Sequence, residues 1–216
     1  MVTIRPYQPR DADDLYDICL RTGAAGSDAT EQFDDPRLLG AVYVGPYLAF
    51  APELAFVLDD GGRACGYVLA ARDTAAFERT CERDWWPALR ARHPGARALP
   101  ERRTGSADAD LVALLHAPHV ADPTLLRAYP SHLHIDLLPH CQHSGFGRRL
   151  IERELSTLAA AGSPGVHLVV SASNDRAIGF YRRLGFVEPA RPAGDAAAET
   201  MAGGRTFGLR LAAPTE

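Results

Sequence analysis

The chain is poor in several things at once, and each shortage narrows what it can be. It has four cysteines, Cys19, Cys65, Cys81 and Cys141, widely spaced and without a Cys-x-x-Cys pair. That spacing argues against a zinc ribbon or a dense disulfide framework, and the expectation is four reduced thiols. No apolar run reaches the roughly 20 residues that span a bilayer, so no membrane segment is expected. Met1 to Pro6 lack the charged and apolar regions of a secretion signal, which makes the expected compartment the cytoplasm. Positive charge is not in excess: 23 basic side chains face 27 acidic ones, and the formal net charge is −4. No global field favours nucleic acid or an anionic membrane as partner. Apolar residues are plentiful, at 46% of 216. That is enough for the core of a single domain over 1–216, or of one domain with an elaborate insertion.

Punctuation along the chain predicts a mixed α/β order with no internal repeat. Val2 to Tyr7 reads as a strand. A helix to about Thr22 follows, capped by Asp11 or Asp13 and carrying Leu15, Ile18 and Cys19 on one face. After a polar loop, Arg37 to Phe50 is helical but interrupted at Gly45-Pro46. Leu54 to Leu58 and Ala64 to Ala71 form a hairpin about Asp59-Asp60-Gly61-Gly62. A helix from Asp73 or Thr74 to about Arg92 is expected to kink or split at Pro87. Within the stretch from His93 to Pro130, Arg97 to Asp110 is charged and rich in glycine and alanine, and Asp110 to His116 reads as a short helix. The whole stretch reads, as part of an insertion over roughly 73–130, as a segment lying across the surface and over a substrate site. Beyond it come a strand (His132 to Leu138), a glycine turn, a helix to about Ala161 and an apolar strand (Val166 to Ala172). Asn174 or Asp175 caps a helix to about Leu184, and Phe186 to Pro189 and Arg205 to Leu211 close as strands.

The unit that carries chemistry is strand, then Gln142-His143-Ser144-Gly145-Phe146-Gly147-Arg148, then helix. A helix start has unpaired N–H groups and the positive end of a dipole, and glycines let backbone approach a phosphate. A pyrophosphate can be held by the N–H groups of His143 to Arg148, with the Arg148 and Arg149 charges nearby. Two other phosphate loops are excluded. No lysine follows Gly147, as a Walker loop needs, and neither the glycine spacing nor the chain position fits the dinucleotide fingerprint. A second segment, Asn174-x-x-Ala177-x-x-Phe180-Tyr181-x-x-Leu184-Gly185-Phe186, follows the next strand.

Taken together, Gln142-x-x-Gly145-x-Gly147 and the Asn174 to Phe186 segment resemble the acetyl-CoA motifs of the GNAT acetyltransferases, in the family's order. A weaker resemblance covers most of the chain. Phe56 to Asp60, Cys65-Gly66-Tyr67, the Trp85-Trp86 helix and the long insertion look like the acetyltransferase-like C-terminal domain of O-GlcNAcases and its free-standing bacterial relatives. The resemblance implies a GNAT fold, with a mixed, mostly antiparallel sheet splayed at the acetyl-CoA site, flanking helices and a helical insertion.

It also implies direct acetyl transfer from acetyl-CoA to a primary amine. Ile135, Asp136 and Leu137 would present backbone groups to the pantetheine and thioester, Gln142 to Arg148 would bind the pyrophosphate, and Asn174 would bind the pantetheine arm. Tyr181 would protonate the leaving thiolate. His132, His134 and Asp136 alternate to one strand face as candidate bases, with Asp136 preferred. Asp28, Glu31, Asp34 and Asp35 belong to the loop that shapes an acceptor site in such folds. Some relatives have lost cofactor binding, so a catalytically inactive partner-binding module is the alternative. Association of two copies through the C-terminal strands is a further expectation by analogy. His116, His119, His140 and Cys141 lack a matched ligand set, so no metal is expected. Arg102-Arg103 reads as a solvated loop.

Overall fold

The computed structural model describes residues 2–95, 107–189 and 203–212, so Arg102 and Arg103 lie outside the described residues. Six strands form one sheet in the order β1-β2-β3-β4-β5-β6. They are β1 (Val2–Pro6), β2 (Ala55–Asp60), β3 (Arg63–Ala71), β4 (Ser131–Leu137), β5 (Gly165–Ser171) and β6 (Gly204–Arg210). All neighbours run antiparallel except β4 and β5, which are parallel. The β2–β3 hairpin turns on Gly61 and Gly62, at φ 65° and 100°, a left-handed pair that glycine adopts without a Cβ clash. Almost every residue of β2 and β3 is buried, so these strands read as continuous apolar runs. Each fully buried Leu or Val there contributes on the order of 1.5–3 kcal/mol.

Helix α1 (Ala12–Thr22) buries Leu15, Ile18 and Cys19, as their spacing predicts. Its capping differs from expectation. The Asp11 carboxylate accepts from the Arg5 guanidinium at 2.7 and 2.8 Å and from the Gln8 N–H at 2.8 Å, and takes no first-turn amide of α1. A charge-assisted fork to arginine is a stronger partner than a neutral cap. The helical stretch after the polar loop divides at Gly45 into α2 (Leu38–Tyr43) and α3 (Gly45–Phe50).

Among the described residues, four helices lie between β3 and β4: α4 (Thr74–Asp84), α5 (Trp86–Arg92), α6 (Asp108–His116) and α7 (Pro123–Ala128). The split before Pro87 is present, and Asp73 caps α4 by accepting from the Ala76 N–H at 2.9 Å. The expected surface placement is corrected at α6: Leu111, Val112 and Leu115 are buried, and α6 packs on α2 and α5 as part of the core, while α7 has no buried residue. Trp85 packs on the same core and donates to the Ala41 carbonyl at 2.9 Å.

The β4–β6 end holds α8 (Phe146–Ala160) and α9 (Asp175–Arg183). The expected strand over Phe186 to Pro189 is reduced to one bridge, in which Val187 exchanges two hydrogen bonds with Gly208 at 2.9 and 2.8 Å. The expectation of four free thiols also fails. Cys65 of β3 and Cys141 are joined as a disulfide, and Cys19 and Cys81 are the free, buried pair. A sequence separation of 76 hides the proximity of Cys65 and Cys141, which comes from the Gly66–Leu137 register of β3 and β4.

Candidate active site

β4 and β5 pair only at Ser131–Val166 and His132–His167. Beyond that point the β5-facing edge of β4 opens, while pairing to β3 continues as far as Leu137. The Leu138 N–H donates to the Cys65 carbonyl at 2.9 Å, so the backbone groups of Leu138 and Asp136 point to β3. Strand alternation then turns the N–H groups of Ile135 and Leu137 into the opening. Proline at 139 supplies no further ladder donor.

The chain then reverses toward α8. His143 and Gly145 both adopt left-handed backbone, at φ 63° and 77°, and Gly145 is the N-cap of α8. A Cβ at Gly145 would meet nothing within 4 Å, so glycine is required there by conformation rather than by space. Successive amides turned this way, followed by a helix N-terminus, make an anion-binding concavity. Gln142 braces the turn from both ends. Its Nε2 donates to the Leu137 carbonyl at 2.7 Å, and its Oε1 accepts from Arg176 at 2.5 Å.

These elements surround a pocket of about 310 Å³. Of the site residues named from the sequence, Ile135, Asp136, Leu137, Gln142, His143, Gly145, Gly147, Arg148, Asn174 and Tyr181 line it. Ser144 and Phe146 do not. Ser144 is exposed, and Phe146 packs against the core beneath the Arg149 guanidinium. Thr22, Gly26, Arg176, Ala177, Phe180 and Arg183 complete the wall. Arg176 and Phe180 fall inside the α9 motif, but nothing local marks Thr22 or Gly26, which come from the far end of the chain. Asn174 does two things: its Oδ1 caps α9 through the Ala177 N–H at 3.0 Å, while its amide edge faces Gly26 across the pocket.

At the base of the pocket the Asp136 carboxylate accepts from the Tyr67 hydroxyl at 2.6 Å. Burial pushes Asp136 up to about 6, against the Tyr67 and Thr22 hydroxyls that pull it down. Thr22 donates its proton to the Ile18 carbonyl at 2.7 Å, which leaves Tyr67 as the donor that holds the carboxylate. Burial also pushes the Tyr181 phenol up, and the Asp136 charge adds to the effect, so this hydroxyl keeps its proton. The other strand-face candidates are otherwise engaged. Thr74 Oγ1 donates to the Pro130 carbonyl at 2.7 Å and so can only accept, at 2.8 Å, from His132 Nδ1. His132 Nε2 then accepts from the Tyr47 hydroxyl at 2.6 Å. With both nitrogens bonded and burial lowering its pKa, His132 is a neutral structural group. His134 sits among the Tyr43, Tyr47 and His132 rings, and burial pushes it down to about 4.

Asp28, Glu31, Asp34 and Asp35 do not line the pocket. The backbone N–H groups of Asp34 and Asp35 donate to the buried Asp108 carboxylate of α6 at 3.1 and 3.2 Å. His140 and Cys141 come together with Cys65, all ligand atoms lying within 4.8 Å of one another, but the two sulfurs are bonded to each other.

Strand order, a single parallel pair and the splay beside it define the GNAT fold. A family profile described as "Acetyltransferase (GNAT) domain" matches residues 113–188. A crystal structure of SsHAT is similar over 98% of both chains, with 40% identity and a TM-score of 0.84. The O-GlcNAcases of Rattus norvegicus and Mus musculus are 28% identical over 192 residues, which is 89% of this chain but 21% of theirs. The chain thus spans about a fifth of the length of these curated relatives. It belongs to the GNAT acetyltransferase family. Among the described residues, no helix is long and apolar enough to cross a membrane.

Proposed function

We propose that this protein transfers the acetyl group of acetyl-CoA to a primary amine by direct attack, with both substrates bound together. One observation supports this most: the splay, the α8 N-terminus, a carboxylate and a protonated phenol converge on one pocket. Acetyl-CoA enters the splay with its pyrophosphate on the amides of His143 to Arg148 and its pantetheine along Ile135, Leu137 and the Asn174 amide. The Leu137 N–H donates to the thioester oxygen as negative charge develops there. Asp136, tuned toward neutral pH, takes a proton from the incoming ammonium, and the freed amine attacks the carbonyl carbon. The C–S bond breaks, Tyr181 gives its proton to the departing thiolate, and the proton shed by the new amide nitrogen restores the phenol.

Calorimetric titration with acetyl-CoA tests the site, beside a Gly145→Glu, Gly147→Glu variant that puts bulk and negative charge in the cradle. Micromolar binding lost in the variant supports it, and an amine screen with a Tyr181→Phe control follows. No binding by folded wild-type protein overturns it in favour of a non-catalytic partner-binding module. All 23 basic residues are arginine, so label incorporated from acetyl-CoA cannot come from lysine acetylation of the enzyme itself.

A further inference from the structure

The disulfide stands directly upstream of the cradle. Cys141 precedes Gln142, and Cys65 lies in the strand that pairs with β4. Both cysteines are buried, at 3% and 2% exposure. The short turn that carries Cys141 is also held by three backbone bonds, Leu138 N–H to the Cys65 carbonyl, Cys141 N–H to the Leu138 carbonyl and Gln142 N–H to the Pro139 carbonyl, at 2.9, 2.9 and 3.1 Å, and by the two Gln142 side-chain bonds described above. The next residues include His143, a non-glycine residue held left-handed at φ 63°. Such a conformation persists only where its surroundings over-determine it. A covalent tie one residue before Gln142 supplies that constraint. Cys19 and Cys81 are also buried, yet they remain free thiols.

We propose that Cys65 and Cys141 form a reversible thiol–disulfide clasp on the cofactor loop, closed by a low-molecular-weight disulfide and opened by a thiol reductant. Its effect on acetyl-CoA rests on the binding site proposed above. In closing, one thiolate attacks the small disulfide and releases one small thiol, giving a mixed disulfide. The second cysteine thiolate displaces the other small thiol. The two cysteines lose two electrons, the reagent gains them, and the two protons end on the released thiols. The exposed His140 imidazole lies within 4.8 Å of the sulfurs and can relay a proton to water. In the closed state the loop is pinned to β3 and the cradle is preformed. In the open state binding must also order the loop, so affinity falls.

Three measurements on full-length protein test this. After treatment with glutathione disulfide, thiol counting in denaturant should give two thiols, and after phosphine reduction and removal of the reductant, four. Acetyl-CoA, which has no free thiol to exchange, should bind the reduced form about five- to tenfold more weakly, with recovery on reoxidation. Cys65→Ser should stay at the weak value whatever the treatment. Hydrogen exchange at amides 138–148 should rise on reduction. Four thiols after oxidation, or equal affinity and exchange in both states, overturns the clasp. Recovery of the reduced form with zinc but not with oxidant overturns it in favour of a metal tie through His140. If neither state binds acetyl-CoA, altered exchange alone still supports the clasp while the cofactor reading fails.

Discussion

Tyr67 on β3 and Asp136 on β4 are direct cross-strand partners, and the Tyr67 hydroxyl donates to the carboxylate at 2.6 Å. Burial raises the pH at which the proposed base is ready, and this bond holds it back. The acid limb of kcat/KM should fall at about 6, where Asp136 becomes protonated. Removing a donor to the charged form raises a carboxyl's pKa. Tyr67→Phe should therefore shift the limb to higher pH with full activity retained above it. Asp136→Asn should lower kcat by about 10²–10⁴-fold across the range. An unmoved limb in Tyr67→Phe counts against Asp136 as the base.

Tyr181→Phe should separate binding from chemistry. Its phenol is expected to act only as the thiolate leaves. The dissociation constant for acetyl-CoA should stay within about threefold while kcat drops about a hundredfold. Equal losses in both would make Tyr181 a packing residue beside Phe180 and Phe186.

Gly145 tests conformation apart from bulk. Gly145→Ala meets no atom within 4 Å, yet it places a Cβ on a residue at φ 77°. Urea unfolding should show a loss of about 1–2 kcal/mol, with Gly145→Asn losing less because asparagine tolerates left-handed backbone. Equal stability of the alanine variant would show that the turn relaxes freely.

Glu154 is buried on α8, and neither of its side-chain oxygens has a hydrogen-bond partner among the described residues. Burial pushes its carboxyl from the ordinary 4.5 up to about 8, with Arg153 opposing. An acid whose folded pKa is raised binds more protons folded than unfolded between those values. Its contribution to stability is therefore complete below about 4.5 and is lost as pH rises through about 8. Glu154→Leu should remove a slope approaching 1.4 kcal/mol per pH unit, about one proton's worth, and raise stability at pH 8. Parallel wild-type and variant curves would contradict this.

What the sequence made readable was local. The glycine turn before α8, the Asn174 cap, the Gly61-Gly62 hairpin and the breaks at Gly45 and Pro87 each follow from backbone rules within a few residues. What it hid was set by the sheet. Tyr67 meets Asp136 across 69 residues, and Arg176 braces Gln142 across 34, through registers that no local period encodes. The same holds for Cys65 and Cys141. The role of α6 was misread because its flanks are charged, while Leu111, Val112 and Leu115, which face inward, form too short a run to announce a core helix.

Asp34 and Asp35 hang by their amides from Asp108, a residue more than seventy positions downstream in α6. The loop after α1 is thus anchored from the middle of the chain, whereas most of the pocket wall comes from β4, the turn before α8 and α9. The two regions have separate supports, so a change in the exposed stretches between β3 and β4 would move the α1 loop without first disturbing the pocket wall.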